Sequence, residues 1–279
     1  MVNPDSGTYH IVAVEQISKV IRGRLRSEQR RREVEMCTLI LVRGVLQGPD
    51  LFVIANRDEE LSRPAQPPAV YTRGEMRILA PRDLKAGGTW IGVNEAGVFS
   101  GITNRFGRSS EPHHRSRGEL VFEALESSTA REAAERIQGL SAADYNGFHL
   151  VIADRVGACI VWNDGATLHR VDLGAGYHVV TERSFQAGES ARLRRVEKRL
   201  AGLGMSAWSE ETRRRLKAWL NEEDRNEPLE GMCICVEGGT YGTRSSTMIE
   251  FNEEIGFEYS DGPPCRAKYR EYGEKLKKS

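Results

Sequence analysis

The chain has no surplus of either charge. Its 279 residues carry 40 Lys and Arg against 40 Asp and Glu, a formal net charge of zero. A general nucleic-acid binder usually shows a basic excess, so that class is set aside. No apolar run approaches the ~20 residues that a membrane-crossing helix needs. The first residues contain no apolar stretch of the kind a secretory signal carries. Cysteine is sparse and odd in number: Cys37, Cys159, Cys233, Cys235 and Cys265. Five scattered cysteines do not make a disulfide framework, and a reducing, cytoplasmic setting is the expectation. Cys233-Ile234-Cys235 lacks the usual two-residue zinc spacing, so no metal is expected there. No internal repeat or low-complexity tract stands out. What remains is a length ample for a sizeable buried core.

Residues 1–35 differ from the rest. Ile17 to Val34 is dense in Arg and Glu, with apolar residues at Ile17, Val20, Ile21 and Leu25. That period suits a charged amphipathic helix in a solvated, poorly ordered extension. The genetic code offers another reading. Arg32-Glu33-Val34-Glu35-Met36 can be spelled with GGAGGTG just before an ATG, the form of a prokaryotic ribosome-binding site. Residues 1–35 would then be a gene-prediction error and Met36 the start. The domain division expected is an extension over 1–35, a catalytic-type domain over 36–265 and a basic, peripheral tail over 266–279.

From Cys37 the pattern changes. Residues 38–42 and 51–55 are apolar and β-branched, with a turn at Gln47-Gly48-Pro49-Asp50, and predict a hairpin. Runs apolar throughout predict strands covered on both faces. A second hairpin is expected over 89–103, turning at Asn94-Glu95-Ala96-Gly97. The Pro-rich stretch 63–81 reads as irregular. Residues 118–139 read as two helices, with Thr129 and Glu132 as a capping box. Short antiparallel strands are expected over 148–153, 158–162, 167–171 and 177–180. Charged helices follow over 190–203 and 209–221, the second with Ser209 and Thr212 in its cap region. Closing strands are expected over 232–237, 245–251 and 255–259. Strands, helices, strands, helices, strands, mostly joined by short turns, predict an α+β fold. Its form would be a four-layer αββα sandwich of two antiparallel sheets flanked by helices.

Two features mark a candidate site. Met36 directly precedes Cys37, and Asn56-Arg57-Asp58-Glu59 follows the paired apolar run. In a short-turned hairpin the start of one strand lies beside the end of the other, so Cys37 and Arg57-Asp58 should be neighbours. An N-terminal cysteine carries a nucleophile and, in its α-amine of pKa about 7.7–8.0, a base. Arg57 would lower the thiol pKa, and Asp58 would hold or orient the amine. Gly87-Gly88-Thr89-Trp90 opens the second hairpin with residues that permit close approach. Asn104 ends the returning strand, where its amide can donate to an oxyanion. In Tyr241-Gly242-Thr243-Arg244, Arg244 can clamp an anionic group. His113-His114 reads as part of a solvated loop.

Together these motifs resemble the NRDE family, which includes the transport and Golgi organisation protein 2. The resemblance rests on Met36-Cys37-Thr38, Ala55 to Glu59 with Ser62-Arg63-Pro64, Gly87 to Gly92, Thr103-Asn104, Arg117 to Leu120, Tyr145 to Phe148 and Tyr241 to Arg244. They occur in order over residues 36–260, outside the first 35. The family implies an N-terminal-nucleophile hydrolase fold, with a more distant similarity to choloylglycine hydrolases and penicillin V acylases. By that similarity Cys37 is nucleophile and amine base, Arg57 and Asp58 support it, and Asn104 matches the oxyanion Asn. The acylases place their Asp further beyond the Arg. They also carry a second Asn where this chain has Glu182, a carboxylate that would oppose an oxyanion. Asn56, Glu182, Thr243 and Arg244 are the expected substrate contacts.

Two functions are expected. One is a cytoplasmic amidohydrolase or acyltransferase acting on a small amide or thioester without a cofactor. The other is a non-catalytic haem or acyl-lipid binding or trafficking protein using the same cleft. Neither implies a nucleic-acid partner.

Overall fold

The computed structural model describes residues 37–277, except 46–47, 108–110, 112, 186, 188–189, 204–207 and 237. The expected helix of residues 17–34 and the start at Met36 lie outside the described residues. In chain order the strands are β1 (Thr38–Arg43), β2 (Leu51–Glu60), β3 (Ala65–Arg73), β4 (Met76–Asp83), β5 (Ile91–Asn94), β6 (Phe99–Asn104), β7 (Phe148–Ala153), β8 (Ala158–Asn163), β9 (Leu168–Asp172), β10 (Gly176–Thr181), β11 (Tyr241–Phe251), β12 (Ile255–Ser260) and β13 (Arg270–Glu271). The described α-helices are α1 (Arg117–Leu125), α2 (Ala130–Gln138), α3 (Ala191–Leu203) and α4 (Glu210–Leu220).

Two antiparallel sheets carry the fold, ordered β10-β1-β2-β11-β12-β13 and β3-β4-β5-β6-β7-β8-β9. Strand alternation explains why the facing runs 39–42 and 51–55 of the first hairpin are apolar on every residue. Leu39, Leu41, Leu51 and Val53 point between the sheets and pack with Val93, Phe99, Val151 and Ile249. Ile40, Val42, Phe52 and Ile54 point outward and pack with Val196, Leu200, Leu216 and Trp219 of α3 and α4. On the second sheet α1 and α2 cover Ile78, Ala80, Leu150 and Ile152. The result is the four-layer αββα sandwich. The helix caps follow local chemistry: Thr129 Oγ1 accepts from Glu132 N at 3.1 Å, and Ser209 Oγ from Thr212 N at 3.1 Å.

Three expectations are corrected. Residues 63–81 are not irregular, because β3 and most of β4 form a hairpin there. Pro67 and Pro68 sit in a register shift on β3, which is an edge strand, where a missing N–H is tolerated. Residues 232–236 form no strand. Ile234 hydrogen-bonds to β11 at Thr243, through Thr243 N to Ile234 O and Ile234 N to Thr243 Oγ1, both 2.8 Å. Farther along, β2 and β12 occupy both edges of β11. The tail is not peripheral, since β13 pairs with β12 and Leu276 enters the inter-sheet core. β2 also outruns its apolar half, so Asn56 to Glu59 lie inside the strand. Among the described residues no helix is long and apolar enough to cross a membrane.

Candidate active site

Cys37 immediately precedes β1, the strand paired on both sides. Its neighbour Thr38 faces Asn56 of β2 and Thr181 of β10. This register places Cys37 beside Arg57-Asp58 on one flank and Glu182 on the other. The thiol reaches the Asp58 carbonyl at 3.8 Å. Cys37 is half-buried. Desolvation and the Asp58 carboxylate push its thiol up to about 12, while Arg57 pulls the other way. The cation acts in the expected direction and is outweighed. With Met36 amide-linked ahead of it, the thiol is protonated at neutral pH.

Arg57 and Asp58 are successive on one strand, so they face opposite layers. Arg57, 6% exposed, spans the gap between the sheets. Its Nη2 donates to Asp83 Oδ2 of β4 at 3.1 Å, and its guanidinium lies 4.2 Å over the Trp90 ring. Gly88 and Gly118 let the segment before Trp90 approach the start of α1 closely. A Cβ on Gly88 would meet the Gly118 carbonyl carbon at 2.5 Å, and Thr89 N donates to Gly118 O. Burial raises Asp83, but the Ala86 backbone N–H with Arg63 and Arg57 overrides it and holds the carboxyl below its ordinary range.

Asp58 points toward the helical layer and is 3% exposed. It accepts from Arg192 Nη1 at 3.0 Å and from Thr243 Oγ1 at 2.6 Å. Arg192 also donates to Thr38 Oγ1 at 3.1 Å, tying the residue after Cys37 to the same ion pair. Burial nonetheless raises the Asp58 carboxyl to about 6, against Arg192 and Thr243. Glu182, 4% exposed, is likewise raised by burial to about 7, with Arg192 and Arg183 opposing and Asp58 adding.

The turn that carries Glu182 is fixed to the opposite sheet. Phe106 N donates to Glu182 O at 2.9 Å, and Arg105 Nη1 donates to Ser184 O and Phe185 O at 3.1 and 2.8 Å. His149 bridges Thr103 Oγ1 and Ser184 O. Burial, then Arg105, lowers its imidazole to about 3, so it is a neutral tie. Phe185 holds φ at +51°, a left-handed conformation, and stacks on Trp162 at 4.7 Å. Asn104 ends β6 next to these ties.

Cys37, Arg57, Asp58, Glu182 and Thr243 therefore converge at one end of the sandwich. Two expected contacts do not join them in the same way. Asn56 is 1% exposed and donates to Leu220 O and Met232 O at 3.0 and 2.7 Å, a framework clamp on the helical side. Arg244 sits at the β11 register shift and pairs with Asp261 at 2.5 Å. Sequence reasoning missed Arg192, Asp83 and Trp90's role beneath Arg57. For Arg192 a signal existed: it falls on the line 192–196–200 with Val196 and Leu200, the buried face of α3, where a cation is out of place. The fold also brings Cys265 and Glu223 to the Cys233-Ile234-Cys235 segment, a grouping that spacing does not show.

A cleft of about 430 Å³ lies along the edge of β10, lined by Ile160, Leu173, Tyr177, Val179, Phe185 and Leu200 among others. It reaches Phe185, on the turn that carries Glu182.

The model of the Transport and Golgi organisation 2 family matches residues 36–261, and the chain belongs to that family. It is 36% identical over 107 residues to the mouse Transport and Golgi organization 2 homolog and 34% identical over 107 residues to the human one. Each alignment covers 37% of this chain and 38% of the relative, so the match spans well under half of either. Among solved structures it is similar to the Caenorhabditis elegans ortholog of N-acylethanolamine-hydrolyzing acid amidase. That likeness has a TM-score of 0.56 at 13% identity and covers 77% of this chain and 92% of the other. A variant of the conjugated bile acid hydrolase from Clostridium perfringens gives 0.53 at 10% identity, covering 85% and 97%. At these identities the likeness shows the fold, that of N-terminal-nucleophile hydrolases.

Proposed function

We propose that Cys37 is the nucleophile of an amidohydrolase or acyltransferase acting on a small amide or thioester, in a form of the chain whose first residue is Cys37. One observation carries this reading. The thiol heads the doubly paired strand, flanked by buried Arg57, Asp58 and Glu182, in a region where apolar residues would be cheaper to bury.

Removal of Met36 replaces the amide at Cys37 with an amine of pKa about 7.7–8.0. The amine takes the thiol proton, and its ammonium and Arg57 favour the thiolate. Sulfur attacks the substrate carbonyl carbon, forming the C–S bond and placing charge on oxygen. The Asn104 amide and a backbone N–H receive that charge. Glu182, held near 7 by burial, donates in its protonated form rather than repelling. The leaving amine or thiol departs with the proton from the ammonium. Water, deprotonated by the amine, then cleaves the acyl-thioester to the carboxylic acid; an acceptor amine in its place gives acyl transfer. Asp58, fixed by Arg192 and Thr243, keeps a negative charge near the ammonium. The cleft beside β10, whose lining mixes Ile160, Leu173, Val179, Phe185 and Leu200 with His178 and Glu197, has room for the acyl portion of an amide. The two fold neighbours are named as hydrolases of N-acylethanolamines and of conjugated bile acids, which accords with that substrate class.

The test compares the chain beginning at Cys37 with the full 279-residue chain on a panel of N-acyl amides and acyl thioesters. Turnover by the first, and background rates for the full chain and for Cys37→Ala, are expected. Equal turnover by both chains would sink the amine-as-base mechanism.

The β10 cleft alone favours a second reading, a binding protein for haem or an acyl chain. A haemin titration showing no saturable spectral shift, or one unmoved by Val179→Asp, counts against it.

A further inference from the structure

Four potential ligands converge outside the Cys37 site. They come from three segments: Glu223 after α4, Cys233 and Cys235 in the segment before β11, and Cys265 after β12. A carboxylate oxygen of Glu223 and the sulfurs of Cys235 and Cys265 all lie within 4.8 Å of one another. Cys233 Sγ is 2.8 Å from Cys265 Sγ. Glu223 is exposed, Cys235 and Cys265 are half-buried, and Cys233 is buried. The group thus has a solvent side through which an ion can enter and a buried side that fixes it.

We infer that Glu223, Cys235 and Cys265, with Cys233 as fourth ligand, form a structural site for a thiophilic divalent cation, zinc above all. Three thiolates and one carboxylate are donors of kinds that zinc binds, in the number a four-coordinate closed site takes, with the carboxylate in the place that a histidine or a fourth cysteine more often fills. Metal–sulfur bonds of about 2.3 Å in a tetrahedron set the sulfurs about 3.8 Å apart. Glu223, Cys235 and Cys265 already lie within reach of one such centre, and Cys233, outside that grouping and 2.8 Å from Cys265, must open from it by about 1 Å to take the fourth position. A Cys233–Cys265 disulfide is the competing chemistry, but it leaves Cys235 and Glu223 without a role. Binding exchanges thiol protons for the cation, so affinity rises with pH.

The position gives the site a consequence. Ile234, between the two ligand cysteines, is bonded both ways to Thr243, whose hydroxyl donates to Asp58 Oδ1 at 2.6 Å. A cation clamping residues 233 and 235 to residue 265 stiffens the wall behind Asp58.

The test is a Co(II) titration of the full, reduced chain, with Zn(II) as competitor and the thermal midpoint as second readout. One Co(II) per chain is expected, with thiolate-to-cobalt charge-transfer absorption and the intense visible bands of a tetrahedral site, displaced by Zn(II). Zn(II) should raise the midpoint. Cys265→Ser, and the exposed Glu223→Gln where folding is not in question, should each weaken binding by at least the roughly 10–100-fold that loss of an outer-shell partner costs. Cys37→Ala should bind as the unaltered chain does. No thiolate absorption, or no loss of affinity in Glu223→Gln and Cys265→Ser, overturns the site. So does a reduced chain that ignores Zn(II) but closes a Cys233–Cys265 disulfide with oxidised glutathione.

Discussion

Two stretches of β2, residues 51–54 and 56–58, are both buried and chemically opposite. Leu51, Phe52, Val53 and Ile54 have no exposed surface, and a few residues on Asn56, Arg57 and Asp58 are 1%, 6% and 3% exposed. The first half does what a central strand does, packing alternate residues against the other sheet and against the helices. The second keeps the alternation but fills it with charge. Arg57 faces the opposite sheet and Asp58 the helices, each with dedicated partners in Asp83 and Arg192. Buried pairs of this kind are often no more stable than apolar residues of equal volume. The difference therefore marks a place where the fold gives up stability, as folds do at functional sites, and it is there that the proposed chemistry lies.

The largest effect on stability should come from breaking the polar half. Arg192→Ala strands the Asp58 carboxylate and should destabilise the chain by about 3–5 kcal/mol in chemical denaturation. The double change Asp58→Leu with Arg192→Met should recover most of that and leave the protein inactive. Recovery of activity with stability would remove Asp58 from the site. In the apolar half, Ile54→Val should cost about 0.5–1.5 kcal/mol and leave turnover intact.

Glu182 sharpens the comparison through pH. Burial raises its carboxyl from 4.5 to about 7, so between those values the folded chain holds a proton that the unfolded chain has released. Its contribution to stability is complete below pH 4.5 and is lost as pH rises through about 7. Asp58, raised from 3.8 to about 6, works in the same sense. Glu182→Gln should reduce this loss and, on the proposed mechanism, raise turnover above pH 7 relative to the unaltered chain, because the carboxylate charge that would oppose the oxyanion is gone. Parallel pH profiles for the two proteins would contradict that role. A comparably small effect belongs to Trp90, beneath Arg57. Trp90→Leu should remove a cation–π contact of about 0.5–2 kcal/mol, with a rise in KM larger than the fall in kcat.

The sandwich was legible in the sequence because doubly covered strands are apolar on every residue and their turns are short. Cys37 beside Arg57-Asp58 followed from hairpin geometry alone. The β3–β4 hairpin was hidden by Pro67 and Pro68, which an edge strand with a register shift accepts. The segment 232–236 looked like a strand because it is a short apolar run, and Met232, Cys233 and Ile234 are buried; its backbone bonds go to Thr243 and Glu222 instead of a ladder. Arg192 lies 134 positions from Asp58, and no local pattern links two residues that only tertiary packing joins. The same holds for Cys265 and Cys233, 32 positions apart.

The most direct measurement is a single-turnover trap. The chain beginning at Cys37 is mixed with an acyl thioester, quenched in acid and analysed by intact mass and peptide mapping. One acyl group on Cys37, absent from the full chain and from Cys37→Ala, is the predicted result. Substrate consumed with no adduct on Cys37, or the same adduct in the full chain, would contradict the account.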